Sequence, residues 1–264
     1  MKPLHLFLVL TFGLFLVGFA IAGVLISVGA PGILVTIVQI VMAWTPTMAY
    51  AAVHRRVHPE MSFLRFVGDQ FAARVRFVPL AASIVVPLLV TATVWIGYAS
   101  VSGRAPGELV VGLSLGSFLL LFLGNVIRGP LGEELGWRSY LLGELNQRRS
   151  LLASSLLVGV VWGLWHVPLW MVSGYEGVGL LFYSVSFFVS IVAFSVIIGY
   201  IHVRGGRNLL YAIALHQMLN FSVQLVEIDT LIVLGGSAVI YVLIALAMAL
   251  ADTRARRSVA ASAA

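Results

Sequence analysis

The chain contains no cysteine. It can therefore carry no disulfide framework, no thiolate nucleophile and no cysteine-ligated zinc, and the redox compartment is left undetermined. Charge is almost as scarce. Only 10% of the 264 residues are charged, against ~25% in soluble domains. Apolar residues fill the space: they make up 61% of the chain, and the mean hydropathy is +1.05. That balance excludes an ordinary soluble domain and indicates an integral membrane protein. The net charge of +6 does not imply nucleic acid or another polyanionic partner. The basic residues sit in short clusters between apolar runs, where they orient a membrane protein. The sequence also has no soluble domain, no low-complexity tract and no clear internal repeat.

A membrane-spanning helix needs roughly 20 consecutive, mostly apolar residues, because lipid offers no partner to free backbone groups. About eight segments qualify. They run from Leu6 to Val28, Ile33 to Val53, Val78 to Val101, Leu109 to Leu145, Leu151 to Val172, Val178 to Ile201, Leu209 to Val226 and Leu231 to Ala251. The expected fold is thus all-α, a polytopic membrane helix bundle forming one membrane-embedded domain over residues 1–264, with a short disordered tail at 258–264. The first segment follows Lys2 and contains "AIAG", as a signal peptide would. Its apolar run exceeds the ~7–15 residues of such a peptide, so it reads as a retained anchor.

Lysine and arginine counts give an orientation. Lys2, Arg55, Arg56, Arg65, Arg74, Arg76, Arg148, Arg149, Arg204, Arg207, Arg254, Arg256 and Arg257 fall at every second boundary. The boundaries between them carry only Arg104, offset by Glu108, Glu176, Glu227 and Asp229. The positive-inside rule then places both termini in the cytoplasm of a multi-pass cell-membrane protein. Between the second and third spans, Phe63, Leu64, Phe66, Phe71 and Val75 alternate with basic residues, a pattern suited to a helix lying in the interface. Trp44, Trp95 and Trp170 are expected to be interface anchors. His5, His54, His58 and His202 lie near span ends and are expected to carry no chemistry.

The polar residues inside the spans are few. Gly129-Pro130 interrupts the fourth segment, which is too long for one straight crossing, and a helix can restart after it. Glu134 and Arg138 are then four apart on one face, in the favourable order for an ion pair. Glu133 is rotated by ~100° from Glu134 and is free for another task. Glu133 lies 16 residues before Arg149 and His166 lies 17 after it, so both sit roughly 24 Å of helix from the turn at Arg148, Arg149 and Ser150. His216 and Asn220 are four apart on the seventh segment at a comparable depth. Ionisable residues within a bilayer are costly, and three helices bring these to about one level.

Such a set suits hydrolysis. A glutamate with a histidine partner can take a proton from water, while a second histidine and an asparagine can donate hydrogen bonds to an oxyanion. The same Glu133, His166 and His216 could instead hold a divalent metal such as zinc, which would make bound water a nucleophile. A proton relay of a transporter, or a non-catalytic scaffold or immunity protein, would also use buried polar residues.

"EELGWR", "WGLWH" and "HQMLN", in that order on successive membrane helices, resemble the motifs of the CPBP intramembrane proteases. That group contains the CAAX prenyl proteases and bacteriocin-processing or self-immunity proteins. The resemblance covers residues 113–226. It implies a helical fold with its active site in the bilayer, reached from the cytoplasmic side, and cleavage of a membrane-associated peptide or protein, such as a prenylated one. It casts Glu133 as the water-activating residue, His166 as its partner, and His216 and Asn220 as the oxyanion-stabilising pair. Glu134 and Arg138 become a supporting pair, and Trp162 stands where the family usually has phenylalanine. The family is often described as metal-dependent, but the preferred mechanism here is metal-free, with Glu133 activating water.

Overall fold

A computed structural model describes the backbone of residues 1–262 and the side chains through Ala255. The expected tail at 258–264 has its side chains outside the described residues, and Ala263 and Ala264 lie outside them altogether. Among the described residues the structure is helical and contains no β-strand.

Backbone groups facing lipid must be satisfied within their own segment, so the apolar runs fold as helices. In chain order these are α1 (Pro3–Ser27), α2 (Gly32–Ala43), α3 (Thr45–Val57), α4 (Phe63–Ala72), α5 (Phe77–Ser102), α6 (Leu115–Ile127) and α7 (Pro130–Glu134). A π-helical stretch, Leu135–Leu142, leads into α8 (Gly143–Asn146). There follow α9 (Leu151–Trp165), α10 (Val167–Trp170), α11 (Gly177–Gly205), α12 (Leu210–Ser222) and α13 (Thr230–Ser262). Serines mark several starts: Ser62, Ser114 and Ser150 accept hydrogen bonds from the backbone N–H of Arg65, Ser117 and Ala153.

Five stretches are long and apolar enough to cross a membrane: α1, α5, the rod Leu115–Asn146, α11 and the Thr230–Ala255 part of α13. Helices α2 and α3 form a sixth if their 46° bend counts as one crossing. The other two expected spans are shorter than their apolar runs. Helix α9 has 15 residues and α12 has 13, which at ~1.5 Å per residue falls short of the ~30 Å hydrocarbon core. Pro168 lies three residues beyond Trp165, the last residue of α9, and α12 gives way to a 3-10 turn at Val223. Both ends bring polar side chains to mid-bundle.

Helix α11 is central, with 44% of its spanning window buried against 17% to 28% for the other four. The arginine-rich connections gather at one end. There Asn208 donates from Nδ2 to the carbonyls of Phe71 (3.0 Å) and Ala73 (2.6 Å), and the Tyr211 hydroxyl accepts from the Arg76 N–H at 2.7 Å. Arg204 and Asp252 form an ion pair between α11 and α13. Helix α4 is amphipathic as expected, with Phe66 packed against Tyr50 at 4.9 Å between ring centroids and Leu64 on its exposed face. At the other end a single bridge joins Val110 to Val226, tying the approach to α6 to the exit from α12.

Candidate active site

The break in the fourth segment falls where the sequence places it. Pro130 has no N–H to continue the ladder of α6, and α7 restarts with Gly132 and Glu133 both donating to the Gly129 carbonyl, at 3.0 and 3.1 Å. The carbonyl of Ile127, left free at the end of α6, accepts from the Trp44 indole at 2.9 Å. Trp44 thus braces the broken helix, and Trp170 is buried against Phe187 and Phe188.

Helices α2 and α3 press their bend onto α7 because glycines receive it. A Cβ on Gly132 would lie 2.7 Å from the Trp44 ring, and one on Gly136 would lie 2.6 Å from Pro46. Gly132 and Gly136 form a small-x-x-x-small contact, and the two glutamates lie between them. The following π-helical stretch belongs to a class of distortion that recurs at functional sites.

Glu133 and Glu134 are both buried and point to different partners. The Trp162 indole donates to Glu133 Oε2 at 2.7 Å, and the Trp137 indole donates to the same oxygen at 3.4 Å. Both bonds fall on Oε2, which leaves Oε1 for other work. Glu134 bridges two groups: Oε1 lies 2.8 Å from His216 Nδ1, and Oε2 lies 3.2 Å from Arg138 Nε. The Arg138 contact is an ion pair by distance but lacks hydrogen-bond angles. A buried charge pair attracts whatever its exact alignment. The Arg138 guanidinium lies over the Trp162 ring, 4.4 Å from its centroid, a cation–π contact that compensates part of its desolvation.

His166 ends α9 and keeps its ring in place through Nδ1, 2.8 Å from the Trp162 carbonyl. A carbonyl only accepts, so Nδ1 carries the proton and neutral His166 offers Nε2 as an acceptor. On α12, His216 and Asn220 lie near the helix break at Gly129. A Cβ built on Gly129 would be 3.0 Å from Asn220 Nδ2 and 3.7 Å from His216 Nε2. Trp162, His166, His216 and Asn220 line one cavity of about 150 Å³.

All seven expected site residues thus come together, with one change of partners. Among the described residues the carboxylate bonded to a histidine is Glu134, while Glu133 is bonded to two indoles. Trp137 is four residues beyond Glu133, the same spacing that flags Glu134 and Arg138, so its role was legible on that ground. Nothing in the spacing points to Trp44, which comes from a distant helix. The possible metal set of Glu133, His166 and His216 does not fit: no group of three or more His, Asp or Glu side chains is arranged to hold a metal among the described residues. Oε2 of Glu133 is turned towards N–H donors instead.

Residues 115–222 match the family model described as "Type II CAAX prenyl endopeptidase Rce1-like". A protein of Methanococcus maripaludis, CAAX prenyl protease 2, is 35% identical over 128 residues, which make up 46% of this chain and 46% of that relative. The match thus spans about half the length of the relative. Residues 115–222, the stretch that holds Glu133, Glu134, Arg138, Trp162, His166, His216 and Asn220, are thus similar to the Rce1-like CAAX prenyl endopeptidases.

Proposed function

We propose that the protein is an intramembrane endopeptidase that hydrolyses a peptide bond of a membrane-associated substrate, with Glu133 activating water. The observation that carries this reading is the convergence of two histidines and an asparagine on one cavity, with the buried Glu133 held by the indole of Trp162, which lines that cavity. Water beside Glu133 Oε1 gives up a proton to the carboxylate, and His166 Nε2 accepts its second hydrogen bond and orients it. The resulting hydroxide attacks the peptide carbonyl. Asn220 Nδ2 and protonated His216 Nε2 donate to the oxyanion, and Glu134 balances the charge of that imidazolium through Nδ1. Collapse of the tetrahedral intermediate breaks the C–N bond. The proton held by Glu133 passes to the departing amine, leaving a new carboxylate and a new amino terminus.

The family supports a CAAX-type peptide, prenylated on its cysteine, as the first substrate to try, with bacteriocin-like precursors as the second. The arginine-rich end would face the cytoplasm of a cell membrane by the positive-inside rule. In purified protein, Glu133→Gln should lower the rate of cleavage of a farnesylated CAAX-type peptide by about 10²- to 10⁴-fold with the thermal midpoint retained. Cleavage at the wild-type rate would remove Glu133 from the mechanism. A wild-type protein that cuts no peptide but moves protons across vesicles would favour the transporter reading.

A further inference from the structure

The cavity at the two histidines has a second wall, and it comes from α13, beyond the matched residues 115–222. Gly235 and Gly236 let α13 seat closely against its neighbours. A Cβ on Gly235 would lie 2.9 Å from Phe182 of α11, and one on Gly236 would lie 2.8 Å from Val94 of α5. Ser237 and Tyr241 follow, four residues apart on one face of the helix, and both line the cavity that holds His166, His216 and Asn220.

Both are buried, 3% and 1% exposed, and the Tyr241 ring is held against Phe194 with centroids 5.1 Å apart. Neither hydroxyl has a hydrogen-bond partner among the described residues. An unpaired buried polar group costs about 1–3 kcal/mol. Two of them on one face, in a cavity otherwise walled by side chains such as Phe187, Ile191, Leu219 and Val233, call for an explanation. A ligand that supplies an acceptor provides one. The size of the cavity limits that ligand: about 150 Å³ is room for about six carbon atoms, far fewer than the ~15 of a farnesyl chain.

We propose that Ser237 and Tyr241 form a recognition subsite of the active site. Their hydroxyls donate to a backbone carbonyl of the substrate next to the scissile bond, and the apolar walls take the adjoining aliphatic side chain. The lipid group of a prenylated substrate stays outside this cavity. The proposal rests on the endopeptidase reading and specifies which part of the substrate the cavity holds. It also makes α13 a source of specificity that the matched core does not contain.

The test uses the full chain in lipid nanodiscs and a farnesylated peptide ending in cysteine, two aliphatic residues and a variable residue. Affinity is read by fluorescence anisotropy with Glu133→Gln present, so that no cleavage intervenes; kcat and KM are read without it. Ser237→Ala and Tyr241→Phe should each weaken binding about 2- to 12-fold, the loss of one ordinary hydrogen bond. KM should rise with kcat nearly unchanged. The thermal midpoint without peptide should hold or rise, because no protein–protein bond is lost. Ser237→Leu, which fills the cavity, should shift preference towards peptides with alanine at the aliphatic position.

Unchanged affinity and KM in both hydroxyl variants would overturn the proposal, as would a lowered thermal midpoint with unchanged affinity, which marks a structural role. Failure of the Glu133→Gln protein to bind the peptide at all would also overturn it. Binding that depends on the two hydroxyls in a protein that cuts nothing would support the subsite and sink the endopeptidase reading. Cleavage indifferent to both hydroxyls would do the reverse.

Discussion

Replacing Trp162 by phenylalanine keeps an aromatic ring beneath Arg138 and removes one N–H from Glu133. In the resemblance to the CPBP proteases this position usually holds phenylalanine, so the substitution asks what the indole adds. The bond to Glu133 Oε2 is 2.7 Å long and lies in a buried site. A hydrogen bond to a charged group contributes about 1.5–3 kcal/mol. If it serves to hold Oε1 towards the water, its loss should lower kcat/KM by about 10- to 150-fold. The Trp137 bond to the same oxygen is 3.4 Å, so Trp137→Phe should cost less, about 2- to 10-fold. Trp137 also packs in the core against Phe7 and Trp165, so activities must be compared per folded molecule, with thermal midpoints measured in parallel. Cleavage of the farnesylated peptide is the assay. A Trp162→Phe protein within twofold of wild type, or a Trp137→Phe protein that loses more at equal stability, would refute the idea that the indoles position Glu133.

The other expectations concern the supports of the site. Arg138→Ala leaves Glu134 buried with only His216 as a partner, and breaking such a pair costs about 3–5 kcal/mol; a clear fall in the thermal midpoint and lost cleavage should follow, and a wild-type midpoint would reject the pair. Gly136→Ala drives a methyl group to within 2.6 Å of Pro46, an overpacking of about 1–3 kcal/mol, which should appear as a midpoint lower by about 2–4 °C per kcal/mol. An unshifted midpoint would mean that α3 does not press on the catalytic segment.

Much of this was open to reading before any tertiary contact was known. The absence of charge, the lengths of the apolar runs and the break at Gly129-Pro130 follow from what lipid tolerates in a backbone. The pairs Glu133 with Trp137 and Glu134 with Arg138 follow from helical spacing alone, because neighbours four residues apart share a face wherever the helix is placed. Helical depth also brought Glu133, His166, His216 and Asn220 to one level. What spacing leaves open is rotation. A helix turned by one residue, ~100°, presents a different side chain to its neighbour, and so only the packed bundle decides that His216 meets Glu134 rather than Glu133. The same holds for the Trp44 brace on Ile127 and for Ser237 and Tyr241 on the far wall of the cavity. Each depends on glycines that allow two helices to close to contact distance. Composition and spacing are enough to give membrane-length helices, a broken helix and the residues available for chemistry. Which of those residues touch depends on packing, because contact follows from the mutual rotation and approach of helices far apart in the chain.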